Sequence, residues 1–188
     1  MYRLKHMFVW LRRFSHLGGN GIQSPFVYDF VCQVVNNHSA YYAYHDLRHE
    51  LRHMSLRQRR LAKLLFRLAN FVQPARILVH PEAMTYAPFL KKGCAKASLQ
   101  PLEPEEPGND ATPNSPTMLI VKTAQEVPAN LSPGSLAVVL NIHTPQTCAT
   151  QWHRLCAAPW ATLTFDLYDL GIIMIAPKRY KQQYIINF

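Results

Sequence analysis

The stretch Pro74–Cys94 constrains the fold of this chain more than any other part of the sequence. Its short apolar run, Ile77–Val79, follows a proline-containing turn and precedes a segment that can begin a helix near Thr85. This is the pattern of a strand, a turn and a helix, the first unit of a wound α/β sheet. Ligands of such sheets bind outside the carboxyl ends of the strands, so residues 80–84 occupy the position of a cofactor-binding turn.

This turn contains no glycine. Cofactor-binding turns of this class use glycines because a backbone without Cβ atoms can turn tightly and approach the ligand. His80 and Glu82 can exchange protons, but polar residues in a turn are more often solvated than catalytic. The sequence therefore predicts an α/β fold with an unusual turn at the point where a cofactor would bind.

Length and residue usage narrow the class of protein. At 188 residues the chain has the length of one compact domain with an appendage. No apolar run reaches the ~18 residues of a membrane span, so the sequence predicts a soluble, cytoplasmic protein without a transmembrane segment. Its four cysteines form no Cys-x-x-Cys pair. This favours free thiols and argues against a zinc ribbon, a thioredoxin-like site or a dense disulfide framework.

Basic residues outnumber acidic ones, with 20 Lys and Arg against 11 Asp and Glu. Such an excess attracts phosphates, acidic proteins or anionic lipid without specifying one of them. The tract Tyr41–Asn70 combines arginines with leucines at helical spacing, and a solvated helix face is its simplest interpretation. A nucleic-acid groove is the alternative, although no nucleic-acid-binding motif accompanies the tract.

Residues 1–17 form a predicted amphipathic arm, because Leu4, Met7, Phe8 and Leu11 share one helical face and basic residues cover much of the rest. A helix of this kind docks on its own domain, docks on another molecule, or lies on a membrane surface. We favour docking, and therefore expect a homodimer or a protein partner bound through the arm.

The most distinctive string is Gly21–Val35, in which Ser24 is a predicted N-cap and Pro25 the first helical residue. Its start, Gly-Ile-x-Ser-Pro-Phe-Val-Tyr-Asp-Phe, resembles the N-terminal signature of a bacterial family of class I S-adenosylmethionine-dependent methyltransferase-like proteins. The segments Thr164–Ile172 and Lys181–Ile186 resemble the closing strands of the same family.

The resemblance implies a Rossmann-like class I methyltransferase sheet that ends in antiparallel strands. Residues 1–72 would form the N-terminal arm and lead-in helices, and residues 73–188 a reduced Rossmann-like domain, the two making one structural unit. The loop Pro101–Pro116 leaves too little room for the helix and strand that the family has between a second strand at Ala97–Leu99 and the strand Met118–Val121. The resemblance therefore implies a truncated sheet without one edge strand.

The family's cofactor motif places an acid at Val79 and glycines at Pro81 and Thr85, and this chain replaces all three. Pro81 removes a backbone N–H, and Thr85 adds a β-branched side chain. By position alone, the resemblance places the cofactor against the turn and, at the ribose hydroxyls, an acid beyond the second strand. The residues concerned are Val79, His80, Pro81, Glu82 and Glu103.

A second candidate position follows the predicted strand Leu136–Leu140. The family often carries two aspartates before the Ile-His pair here, where this chain has Leu140 and Asn141. The resemblance therefore implies that carboxylates able to hold a metal or act as a base are lost. Asn141 and His143 remain as candidates, and a lone histidine at a strand end is more often structural than a ligand.

A retained scaffold with altered site residues favours a non-catalytic methyltransferase-like protein that acts as a binding or assembly module, with no cofactor and no metal. The first alternative is an S-adenosylmethionine-dependent methyltransferase with an altered cofactor pocket, in which His143 lies near the acceptor. The second alternative is a basic nucleic-acid-binding protein. No catalytic residue is assigned from the sequence.

Overall fold

A computed structural model describes residues 22–102, 115–143 and 146–188. Its centre is a seven-stranded sheet in the spatial order β2-β1-β3-β4-β6-β5-β7. The strands are β1 Arg76–Val79, β2 Ser98–Pro101, β3 Thr117–Val121, β4 Leu136–Leu140, β5 Leu163–Asp166, β6 Leu170–Met174 and β7 Gln182–Ile185. β6 is antiparallel to both of its neighbours, and the other neighbouring strands are parallel. The predicted α/β class is confirmed.

The helices of the described residues are α1 Pro25–Phe30, α2 Tyr42–Asp46, α3 Arg48–Arg52, α4 Leu56–Val72, α5 Ala87–Gly93 and α6 Gln146–Ala157. A π-helical turn, Val31–Val35, continues α1, and 3₁₀ turns cover Pro81–Tyr86 and Ala124–Glu126. The predicted basic tract is thus divided among three helices. The longest, α4, begins at Leu56, and its N-cap residue Ser55 forms a capping box with Gln58.

Apolar residues on both faces of the central strands hold the sheet between two layers of helices. Successive side chains of a strand point to opposite faces. In β3, Met118 and Ile120 therefore enter the core beneath α1, α4 and α5, whereas Leu119 and Val121 enter the core beneath α6. The larger core contains residues from Val27 to Ile186, so α1 packs in the same core as the sheet.

β6 runs through the middle of the sheet although it follows β5 in the chain. Gly171 in β6 lies opposite Val139 of β4 and Asp166 of β5. The indole of Trp152, from α6, covers the site where a Cβ atom of Gly171 would be. Glycine at this position therefore allows α6 to pack closely on β6.

Several predicted boundaries shift by a few residues. The second strand is Ser98–Pro101 rather than Ala97–Leu99. The helix predicted to begin near Thr85 begins as a 3₁₀ turn at Pro81 and becomes α-helical at Ala87. Among the described residues, no helix combines the length and apolar character needed to cross a bilayer. The arm, residues 1–17, and Glu103 lie outside the described residues.

Candidate functional site

The sheet has a topological switch point between β1 and β3. The chain leaves β1 for β2 on one side of it and then returns to β3 on the other side. Ligands of open α/β sheets bind in the crevice outside the carboxyl ends of two such strands. We define the switch-point edge as His80 and Glu82, which follow β1, together with Lys122 and Glu126, which follow β3.

Side chains link the two turns of the switch-point edge. Lys122 Nζ lies 2.7 Å from Glu82 Oε1, and both side chains are largely exposed. The hydrogen bond from Lys122 and then its charge lower the pKa of Glu82. His80 Nε2 faces Glu126 Oε2 at 4.0 Å. The crevice that a cofactor would enter is therefore spanned by paired side chains from β1 and β3.

The backbone N–H groups of the turn after β1 already have partners. His80 N–H donates to the carbonyl of Ile120 (2.8 Å), and Ala83 N–H donates to the carbonyl of His80 (2.8 Å). Glu82 N–H donates to His80 Nδ1 (3.2 Å), and Pro81 has no N–H. Ligand-binding turns and helix starts hold anions through N–H groups that point at the ligand. In this turn, residues 80–83 offer no backbone N–H group that is free to bind a ligand.

Val79 is fully buried in the core on the side of α4. The residue at which the resemblance alone implied an acid is therefore a packed apolar side chain.

A second group of polar side chains lies at the carboxyl end of β4. We call it the β4 cluster, and it comprises Arg57, Asn141, His143, Asp166, Tyr168 and Asp169. His143 Nε2 and Asp166 Oδ2 are 2.7 Å apart, and Asp166 Oδ1 accepts a hydrogen bond from the backbone N–H of Tyr168 (2.8 Å). The rings of His143 and Tyr168 stack with centroids 5.3 Å apart. These contacts set the orientation of the imidazole.

Arg57 connects this cluster to the start of α4. Its Nη2 atom lies 3.0 Å from Asn141 Oδ1 and 3.0 Å from Asp169 Oδ1. Asn141 N–H donates to the carbonyl of Asp169 (2.8 Å). Asn141 and Tyr168 both have left-handed backbone angles, with φ of 55° and 69°. Asparagine adopts this region readily, whereas for Tyr168 it is a strained conformation, which persists where surrounding contacts determine it.

The His143–Asp166 pair has the chemistry of an oriented base. An ionised carboxylate accepts hydrogen bonds only, so a neutral His143 bonded to it carries its proton on Nε2 and has Nδ1 as its basic nitrogen. An orienting carboxylate is a standard partner of a catalytic histidine. The same pair also serves as a structural bond between β5 and the segment after β4.

The structure brings the candidate residues together as two groups. His80, Pro81 and Glu82 share the switch-point edge, while Asn141 and His143 belong to the β4 cluster. Nothing in the sequence indicated a partner for His143, but in the structure His143 is paired with Asp166. Asp166 lies within the string quoted for the closing strands, and a carboxylate in a buried strand is a signal that points to a partner.

Sequence reasoning also missed Arg57, Lys122, Glu126 and Asp169 as members of these groups. Lys122 follows a buried strand directly, which places it at the ligand-binding edge. No comparable signal marked Arg57, because nothing in the order of residues relates α4 to the end of β4. Within the described ranges, no three His, Cys, Asp or Glu side chains are grouped so that they can hold a metal ion.

Comparison with protein-family models, with curated proteins and with solved structures found no match to this chain.

Proposed function

We propose that this protein is a non-catalytic, methyltransferase-like module that binds a macromolecular partner. The observation that carries the proposal is the occupied turn after β1. Its four successive positions, residues 80–83, have no N–H group left for a ligand. A cofactor that entered this crevice would lose the hydrogen bonds that such sites normally supply.

The architecture is compatible with the methyltransferase-like part of the proposal. The sheet is mostly parallel, and it has a switch point between β1 and β3. Its one antiparallel strand in the described part of the chain, β6, lies between β4 and β5. β2 is an edge strand, and a missing strand beyond it stays a prediction from the resemblance. The family resemblance supplies the remainder of this assignment.

The binding part of the proposal follows from the predicted amphipathic arm. The amphipathic arm, residues 1–17, stays a prediction because it lies outside the described residues. We expect a second copy of the chain or another protein as its partner.

Isothermal titration of the purified protein with S-adenosylhomocysteine tests the first part. We expect no binding heat at millimolar ligand, whereas saturable one-to-one binding would contradict a non-catalytic assignment. Light scattering of the full chain and of a variant lacking residues 1–17 tests the second part. We expect a dimer that becomes a monomer on deletion, and a full chain that is monomeric would remove self-association.

The second candidate function is methyl transfer with an altered cofactor pocket. The oriented His143–Asp166 pair favours it, since a base near the acceptor is what such a reaction needs. This candidate requires cofactor binding, so the same titration decides between the two. If S-adenosylhomocysteine binds, Asp166→Asn should reduce turnover more than cofactor affinity.

A further inference from the structure

A cleft with a volume of about 500 Å³ lies beside α4. Its walls are the loop at residues 36–39, a face of α4, Tyr44 and the segment at residues 187–188. We call it the α4 cleft. It shares no residue with the switch-point edge or the β4 cluster.

Among the described residues, the charged side chains that line the α4 cleft are all basic. They are Arg60, Lys63 and Arg67, with His38 beside them, and no described Asp or Glu side chain lines the cleft. Residues three and four apart lie on the same face of a helix. The three cations therefore project from α4 into one cleft, where their positive charges add.

Arg67 is buried, with 6% of its surface exposed. Its Nε donates to the carbonyl of Val34 (2.5 Å), and its Nη2 donates to the carbonyl of Val35 (3.0 Å). Its Nη1 is 3.4 Å from the hydroxyl of Tyr44. These acceptors are neutral, and a buried charge is costly unless an opposite charge accompanies it. An anion in the cleft would supply the charge that these contacts lack.

The carbonyls that hold Arg67 belong to the π-helical turn Val31–Val35. Turns of this kind are rare, and they are frequently found at functional sites. Here the turn directs two carbonyls at one guanidinium and thereby sets its position in the cleft.

We infer that the α4 cleft binds the phosphate group of a small phosphorylated organic molecule. Its volume lies within the range of about 300–1,000 Å³ that is typical of small-molecule sites and leaves room beyond the phosphate itself. Asn36, Asn37 and Tyr44 border the remaining space. Arginine and lysine are the usual protein donors to phosphate oxygens.

Adenosine 5′-monophosphate, pyrophosphate and adenosine are suitable probes, each titrated into the full chain by calorimetry. The test variant is Arg60→Gln/Lys63→Gln, because neither residue makes an ion pair in the described part of the chain. The matched control is Lys96→Gln/Arg154→Gln, which removes two exposed charges outside the cleft. Arg60→Gln alone replaces the test variant if the double variant unfolds at a lower temperature than the control.

We expect saturable binding of the monophosphate and of pyrophosphate, with affinity at least about tenfold lower in the test variant and unchanged in the control. Adenosine should not bind. The inference fails if neither phosphate compound binds at about 10 mM, or if both variants lose affinity equally. Binding of an oligonucleotide without binding of the mononucleotide would also overturn it, since the site would then be an extended groove. None of these outcomes bears on the titration with S-adenosylhomocysteine.

Discussion

The contact between Gly171 and Trp152 provides a quantitative test of how α6 packs on the sheet. Gly171 has no positive φ, so alanine is compatible with its backbone. Its added Cβ atom would lie 2.5 Å from Cζ3 and 2.7 Å from Cζ2 of Trp152, and closer still to Cη2. Carbon atoms in ordinary contact are about 3.5–4.0 Å apart, so the ring would have to move by about 1 Å.

Trp152 has little space for that movement, because it is 2% exposed and lies in the core beneath α6. Overpacking of a core destabilises a protein by about 1–3 kcal/mol. Because the added Cβ atom would clash with three carbons of a rigid ring, we expect Gly171→Ala to lower the stability by about 3 kcal/mol. For a chain of this size, that loss lowers Tm by about 6–12 °C, which thermal unfolding followed by circular dichroism can measure. Displacement of β6 would also disturb Asp166, which lies opposite Gly171.

Trp152→Phe is the matched control because it removes the outer ring of the indole. The double variant Gly171→Ala/Trp152→Phe should be less destabilised than the sum of the single variants by about 1 kcal/mol or more. Without the clash, alanine would stabilise the protein by about 0.4–1 kcal/mol, because it lowers the conformational entropy of the unfolded chain. An unchanged or raised Tm for Gly171→Ala, or strict additivity in the double variant, would refute this account of the packing.

Two further predictions concern titrating groups. Burial raises the pKa of the Cys156 thiol from its ordinary 9.0 to about 11, so iodoacetamide at pH 9 should label Cys148 well before Cys156, as peptide mass spectrometry can show. Equal labelling of the two cysteines would contradict the burial. Because the thiol of Cys156 loses its proton at a lower pH in the unfolded chain than in the folded protein, the free energy of unfolding should fall as pH rises from 9 towards 11. The pKa of Glu82 lies below its ordinary 4.5 because Lys122 hydrogen-bonds to the carboxylate and attracts it, so its contribution to stability is present above pH 4.5 and is lost as pH falls through the lowered pKa. Carbon-13 NMR should find a higher pKa for Glu82 in Lys122→Met, and the same pKa in both proteins would mean that the ion pair does not form in solution.

Local sequence patterns predicted most of the individual elements. The apolar run Leu136–Leu140 is β4, residue for residue. The helix that begins at Pro25 was predicted from Ser24 and Pro25, although Ser24 makes no side-chain capping bond. These elements could be predicted because hydrophobic period, capping residues and turn residues act within a few positions of one another.

The candidate site depended more on contacts between distant residues. His143 and Asp166 are 23 positions apart, and Arg57 and Asn141 are 84 positions apart. In the sequence alone, each of these four residues could be interpreted as a solvated or structural residue. Their pairing results from the order of the strands and from the approach of α4 to the end of β4, which no local pattern encodes.

The sequence by itself determined the α/β class, the positions of the buried strands and the absence of glycine after β1, because these depend on residue type and short-range spacing. The tertiary structure alone decided that β6 inserts between β4 and β5, and that the N–H groups of the turn are occupied. It also decided that Arg67 reaches the carbonyls of Val34 and Val35. The physical reason is that strand pairing and hydrogen bonding between distant segments depend on the packing of the whole core.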